Sequence, residues 1–217
     1  MKKNVYSLVL SEDVVRAIDA CAYREGTNRS ALINRILAEY VSYTTPEMRM
    51  RRIFEEMQQI LPSDGFRMME SSESMLSLRS SLQYKYNPTV RYTVELYRGE
   101  GTLGVLRVSL RTQNALLLSL MEAFYSVFCR AEQACVGTCQ YQLANGRFSR
   151  ALTLRVDRNT PEGLYTAEEL AAVISRYVSL FDRAIKVFFA CAERAEDAYY
   201  PILALYRQYL AESSAII

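Results

Sequence analysis

Polar and apolar residues alternate at the start of the chain and then change period. In Lys3-Asn4-Val5-Tyr6-Ser7-Leu8-Val9-Leu10, Tyr6, Leu8 and Leu10 fall on one face of an extended segment, and Lys3, Val5, Ser7 and Val9 on the other. The pattern predicts a short strand. At Ser11 it gives way to helical spacing, with Val14, Val15, Ile18, Cys21 and Ala22 on one side and Asp13, Arg16, Asp19 and Arg24 on the other. Ser11 is placed to cap this helix, and Glu12 and Asp13 put negative charge at the positive end of its dipole. Gly26 suits the left-handed residue that ends it. Thr27-Asn28-Arg29 turns the chain, and Ser30 is expected to cap a second helix with Leu32, Ile33, Ile36, Leu37, Tyr40 and Val41 on its apolar face. Two short helices and one strand cannot close a core, and the strand's backbone groups need an edge to pair with. A second copy of the chain supplies both.

The remainder reads as helices and an antiparallel sheet. Thr45-Pro46-Glu47 is a helix start, and Met50, Ile53, Phe54, Met57 and Leu61 form its stripe up to Leu61-Pro62-Ser63-Asp64-Gly65. Residues 75–111 alternate in three runs. Leu76, Leu78 and Leu82 oppose Ser77, Arg79 and Ser81; Val90, Tyr92 and Val94 oppose Arg91, Thr93 and Glu95; Leu106, Val108 and Leu110 oppose Arg107, Ser109 and Arg111. Three such strands in a row predict a meander with one wet face. A helix follows near 113–134. Asn145-Gly146 predicts a tight hairpin with arms near 138–144 and 147–156. Thr166-x-x-Glu169 is a capping box opening a long helix that buries Leu170, Ile174, Tyr177, Phe181 and Phe188, and Pro201 is expected to break or bend the chain before a last helix to about Ala211.

The net charge is only +2, so any nucleic-acid contact must come from a local patch rather than from bulk charge. Residues 62–160 carry a basic surplus and residues 161–217 an acidic one. There is no histidine, which removes the commonest general base and excludes a Ser–His or Cys–His nucleophile. The sequence holds no P-loop and no GxGxxG motif, and an enzyme is not expected. Of five cysteines, Cys135 and Cys139 lie close together with Cys129 nearby, but with no CxxC and no His they make a poor zinc site. No metal and no cofactor is expected, and the thiols read as reduced, in a cytoplasmic protein. The apolar run Ala115 to Cys129 is broken by Ser119, Glu122 and Ser126 and is short for a membrane span, so no membrane partner is expected.

The opening segment resembles the ribbon–helix–helix DNA-binding proteins of the MetJ/Arc type. The residues that carry the likeness are the alternating strand ending Val9-Leu10-Ser11, a first helix of about a dozen residues, and Gly26-Thr27-Asn28-Arg29-Ser30 before an apolar second helix. The resemblance covers residues 2–43. It implies an intertwined homodimer, or a higher even-numbered oligomer, whose two strands pair antiparallel and enter the major groove of double-stranded DNA. It assigns Lys3, Val5, Ser7 and Val9, with Asn4, to the groove, and Asn28, Arg29 and Ser30 to a phosphate at the start of the second helix. Val5 and Val9 depart from the family's polar pattern: valine can touch a thymine methyl but can neither donate nor accept a hydrogen bond.

The expected architecture is therefore α+β. A ribbon–helix–helix module (1–45) for DNA binding and dimerisation is followed by a helical connector (46–62) and an antiparallel sheet packed with helices (63–217), which would oligomerise or sense a small molecule or protein partner. Arg79, Arg91, Arg107 and Arg111, with Lys85, Arg147 and Arg155, share the polar strand faces and are candidate contacts for an anion. The leading functional expectation is a DNA-binding transcriptional regulator. The alternatives are a DNA accessory protein of a plasmid or mobile element, and a scaffold that uses the first module only to dimerise.

Overall fold

The computed structural model describes residues 7–41, 43–85, 87–98, 101–144, 146–155, 165–212 and 215–217. The chain divides into two compact units, Met1–Met48 and Arg49–Ile217.

In the first unit, helix α1 (Glu12–Arg24) begins at Ser11, whose Oγ accepts the Val14 N–H at 3.4 Å. It ends on Gly26 at φ 64°, and Thr27 N–H returns to the Ala22 carbonyl at 2.9 Å, satisfying an otherwise orphaned acceptor. Helix α2 (Arg29–Tyr40) is capped by Asn28, not by Ser30: the Asn28 Oδ1 accepts the Ala31 N–H at 2.9 Å. Asn28 is the residue that still has extended backbone as it leaves the turn (ψ 160°), whereas Ser30 already lies inside the helix. Ser7–Leu10, the described part of the expected first strand, join no sheet, and among the described residues strand pairing begins only at Arg67. A strand needs a neighbour for its ladder, and one copy of this segment offers none. Residues 3–6 of that strand lie outside the described residues.

The second unit is mixed α+β. Helix α3 (Pro46–Ile60), whose first turn belongs to the first unit and is started by Thr45 Oγ1 accepting the Met48 N–H, buries Met50, Ile53, Phe54 and Met57 in the second. A single 3₁₀ turn follows, and Gly65 at φ 86° leads into the sheet. The strands are β1 (Arg67–Ser71), β2 (Met75–Ser81), β3 (Thr89–Leu96), β4 (Gly104–Leu110), β5 (Tyr141–Ala144) and β6 (Arg147–Leu152). They form one antiparallel sheet in the order β1-β2-β3-β4-β6-β5. Strand β1, with a bulge between Met68 and Glu70, extends the three-stranded meander that the alternation predicts. Gly104 is required by close approach, because a Cβ there would stand 1.9 Å from the Glu95 carbonyl oxygen.

Helices α4 (Ala115–Val136), α5 (Ala167–Ala190) and α6 (Tyr199–Glu212) bury their apolar faces in the same core as Leu78, Tyr92, Val94, Leu106, Val108, Phe148 and Leu152 of the sheet. Asn114 caps α4, and Thr166 and Glu169 close the capping box of α5. Phe181 of α5 is the hub of the core. Its ring centroid lies 4.5 Å from Phe128, 4.8 Å from Phe148 and 5.4 Å from Phe124, so two helices and the sheet meet on one side chain. A fully buried ring of this kind contributes about 1.5–3 kcal/mol. Pro201 does not break the chain: it sits in the first turn of α6, where a missing N–H costs nothing. The break falls earlier, where Arg194 has φ −138° and ψ 76° between α5 and α6.

Candidate nucleic-acid interface

Of the residues assigned to DNA in the first unit, Lys3, Asn4 and Val5 lie outside the described residues. Ser7 and Val9 are exposed ahead of α1. Asn28 is engaged as the α2 cap, and Ser30 is exposed in the first turn. Arg29 is not free: its Nε and Nη2 donate to the two carboxylate oxygens of Asp19 at 2.7 and 2.5 Å, tying the start of α2 to α1. The Arg29 hydrogen bond holds the Asp19 carboxyl below its ordinary range. That pair was invisible in the sequence because its partners lie ten residues apart on different helices.

This unit leaves most of its apolar surface uncovered. Among its described hydrophobic residues only Ala22, Leu32 and Ala38 are buried, while Leu37 is 51 % exposed, Leu8 61 %, Val41 66 % and Tyr40 87 %. Leu10, Val14 and Ile36 are also exposed.

In the second unit, the strand register assembles the arginines of the wet face into an ordered array. Arg67 stands directly opposite Arg79, Arg79 opposite Arg91, Arg91 opposite Ser109, and Ser109 opposite Arg147. Paired residues project to the same face, so one row crosses β1, β2, β3, β4 and β6. Arg107 lies in the next row, opposite Thr93, and is ion-paired with Glu95. Arg111 is exposed just beyond the end of β4. Arg67 was missed in the sequence because β1 does not alternate cleanly; the bulge after Met68 breaks its period. Arg155 leaves the set: it donates to the carbonyls of Val136 and Thr138. Lys85 is exposed in the turn between β2 and β3.

A second cluster lies inside the core. Glu132 of α4 is 0 % exposed and Arg150 of β6 is 2 % exposed, and they form an ion pair at 3.1 Å. Tyr177 and Tyr206 donate to Glu132 Oε1 at 2.9 and 2.7 Å, and Tyr141 donates to Oε2. Arg150 also donates to the main-chain oxygens of Ile217 (2.9 Å) and Ala151 (3.0 Å), and its guanidinium stacks 4.5 Å over Tyr177. Burial, then the charge of Glu132, pushes the Tyr206 and Tyr177 hydroxyls well above the ordinary range. The network is closed and satisfied, which suits a structural brace. Sequence alternation concealed it: Phe148, Arg150 and Leu152 share the core face, a parity that argues for an apolar residue at 150. Burial pushes the nearby Cys129 thiol up to about 12, so it is protonated at neutral pH and not a ready metal ligand.

A third feature is a cleft of ≈ 280 Å³ lined by Asp64, Arg176, Asp182, Arg183, Lys186 and Glu212 among others. Its charges compensate one another. Asp182 accepts from the Tyr92 hydroxyl at 2.8 Å and pairs with Lys186 at 2.6 Å. Among the described residues no helix is long and apolar enough to cross a membrane, and no group of three or more His, Cys, Asp or Glu side chains could hold a metal ion. No family model, no curated protein and no solved structure matches the chain.

Proposed function

We propose that the chain is a DNA-binding transcriptional regulator that acts as a homodimer through its first unit. The observation that carries this reading is the uncovered apolar surface of that unit. Residues such as Leu8, Leu10, Leu37 and Val41 face water in a single copy, and two short helices alone bury very little. An antiparallel pairing of the segment before α1 with its counterpart would bring Leu8 and Leu10 onto a shared core, and would leave Ser7 and Val9, with Lys3 and Val5, on the opposite face for the major groove. The helix order and the caps at Ser11 and Asn28 are compatible with the ribbon–helix–helix resemblance. The commitment of Arg29 to Asp19 narrows the phosphate contact at α2 to backbone N–H groups and Ser30. The same commitment, together with the valines on the groove face, is what favours the second reading, a module that dimerises without binding DNA.

Light scattering across a concentration series, paired with mobility-shift titrations at several salt concentrations, tests both parts. The expected result is a dimer or larger even-numbered oligomer, and a shifted duplex whose affinity falls with salt by about 0.9 in log–log slope for each phosphate contact. Leu37→Glu, at a half-exposed position, should give a folded monomer whose shift of duplex DNA is weakened. A wild-type chain that stays monomeric at all concentrations rejects the dimer. A dimer that shifts no duplex leaves the scaffold reading.

A further inference from the structure

We propose that the open face of the six-stranded sheet is a second nucleic-acid surface, on which Arg67, Arg79, Arg91 and Arg147 hold the sugar–phosphate backbone of duplex DNA without reading its sequence. This goes beyond the major-groove reading of the first unit and does not depend on it.

Three observations on this face lead there. The first is the register. Arg67, Arg79 and Arg91 are direct cross-strand neighbours, and Arg147 continues the row beyond Ser109. Like charges placed directly opposite one another are unfavourable. None of these four arginines is ion-paired with a described residue, and of the strand residues on this face only Glu70 and Glu95 are acidic, Glu95 being taken by Arg107. The repulsion is therefore left for an external anion to relieve.

The second observation is shape. The row steps from β1 to β6 across four strand spacings of about 4.8 Å, so the charges lie in a line roughly 19 Å long. They do not line the cleft at Asp64, Arg176, Asp182 and Lys186. A single small anion can meet one or two of these guanidinium groups. A duplex carries about one charge per 1.7 Å of axis and can meet the whole row.

The third observation is the chemistry between the arginines. The other strand positions of this face include the half-buried Thr93, Ser109 and Ser149. Arginine and hydroxyl side chains are the groups that grip phosphate oxygens. No strand position on the face carries an aromatic ring, the feature on which a single strand would stack its bases. The face is thus matched to a backbone rather than to bases, and to duplex rather than single-stranded nucleic acid.

The test uses the full chain and a fluorescent mixed-sequence DNA duplex, with affinity measured by anisotropy over a range of salt. The triple variant Arg79→Ser/Arg91→Ser/Arg147→Ser should lose affinity steeply at low salt, and its log–log salt slope should be shallower by about 2.7, that is, about 0.9 for each of three lost contacts. Replacing the same three residues by Lys should restore most of the slope. Thermal unfolding of each variant, expected to match or exceed wild type because all three positions are exposed, separates lost contact from lost fold. An unchanged slope in the Ser variant overturns the proposal, as does tighter binding to anionic lipid vesicles than to the duplex. The variant Lys3→Ala/Ser7→Ala distinguishes the two surfaces. If it abolishes binding while the sheet variant leaves it intact, the major-groove reading stands and this one falls. The reverse pattern supports the sheet face and removes the groove reading. A wild-type chain that binds no duplex at any salt removes both.

Discussion

Removing Arg150 tests the buried brace most directly. In Arg150→Met the aliphatic stem is roughly conserved but the guanidinium is gone. Glu132, with no solvent exposure, then keeps its three tyrosine hydroxyls and loses its counter-charge at 3.1 Å. The Ile217 and Ala151 oxygens each lose a charged donor, at 2.9 and 3.0 Å, and Tyr177 loses the cation over its ring. Breaking a buried ion pair from one side costs about 3–5 kcal/mol, because the remaining charge stays buried and unpaired. For a chain of this size about 2–4 °C of melting temperature accompany each kcal/mol, so the expected drop is about 6–20 °C. The double variant Glu132→Gln/Arg150→Met removes both charges and should cost about 1–3 kcal/mol, less than the single one, since a neutral amide can still accept from a tyrosine hydroxyl. Urea unfolding followed by circular dichroism on wild type, both single variants and the double variant gives the coupling energy, expected to be at least about 2 kcal/mol. A single Arg150→Met variant that loses less than about 1 kcal/mol, or a double variant no more stable than the single, refutes the assignment of this pair as a brace.

Three further outcomes follow from particular contacts. Arg91→Ser should raise stability by about 0.2–1 kcal/mol at low salt, with the gain shrinking as salt is added, because it removes a charge that faces Arg79; salt-dependent melting curves read this directly. Gly104→Ala should cost about 3 kcal/mol by thermal unfolding, since the new methyl meets the Glu95 carbonyl and Leu96 Cα, which cannot both move without opening the β3–β4 ladder. Alkaline pH should unfold the second unit steeply. Burial raises the hydroxyls of Tyr92, Tyr177 and Tyr206 above their ordinary 10.0, so the stability tied to them is whole below pH 10 and declines as pH rises further, by about 1.4 kcal/mol per pH unit for each group. Tyrosinate absorbance from these residues should then appear together with the loss of helical signal, and its appearance in a fully folded chain would contradict their burial.

The elements with local signatures were legible in the sequence. Ser11 and the Thr166–Glu169 box mark helix starts by chemistry confined to one turn, and β3 and β4, and less regularly β2, announce themselves by alternation. What escaped depends on partners distant in the chain. Asn28 and Ser30 are equally good caps by type, and only the backbone leaving the turn decides between them. Arg150 reads as a polar residue on an apolar face until Glu132, from a helix eighteen residues earlier, explains it. The arginines of the wet face were visible singly, but their alignment into a row depends on register, which alternation alone does not specify. The expected first strand is the extreme case, because its described residues, Ser7–Leu10, find no pairing partner within one chain.

The strand order has a consequence for how the second unit is assembled. Each neighbouring pair in the sheet is joined by a short connection except β4 and β6, between which α4 and β5 intervene. A nascent chain that has completed β4 therefore carries a meander whose β4 margin is open as well as that of β1, and must add a 22-residue helix and β5 before β6 arrives to seal the β4 side. During that interval the exposed margin of β4 is the place where two unfinished chains would stick together, and the speed with which α4 packs down governs how long the hazard lasts.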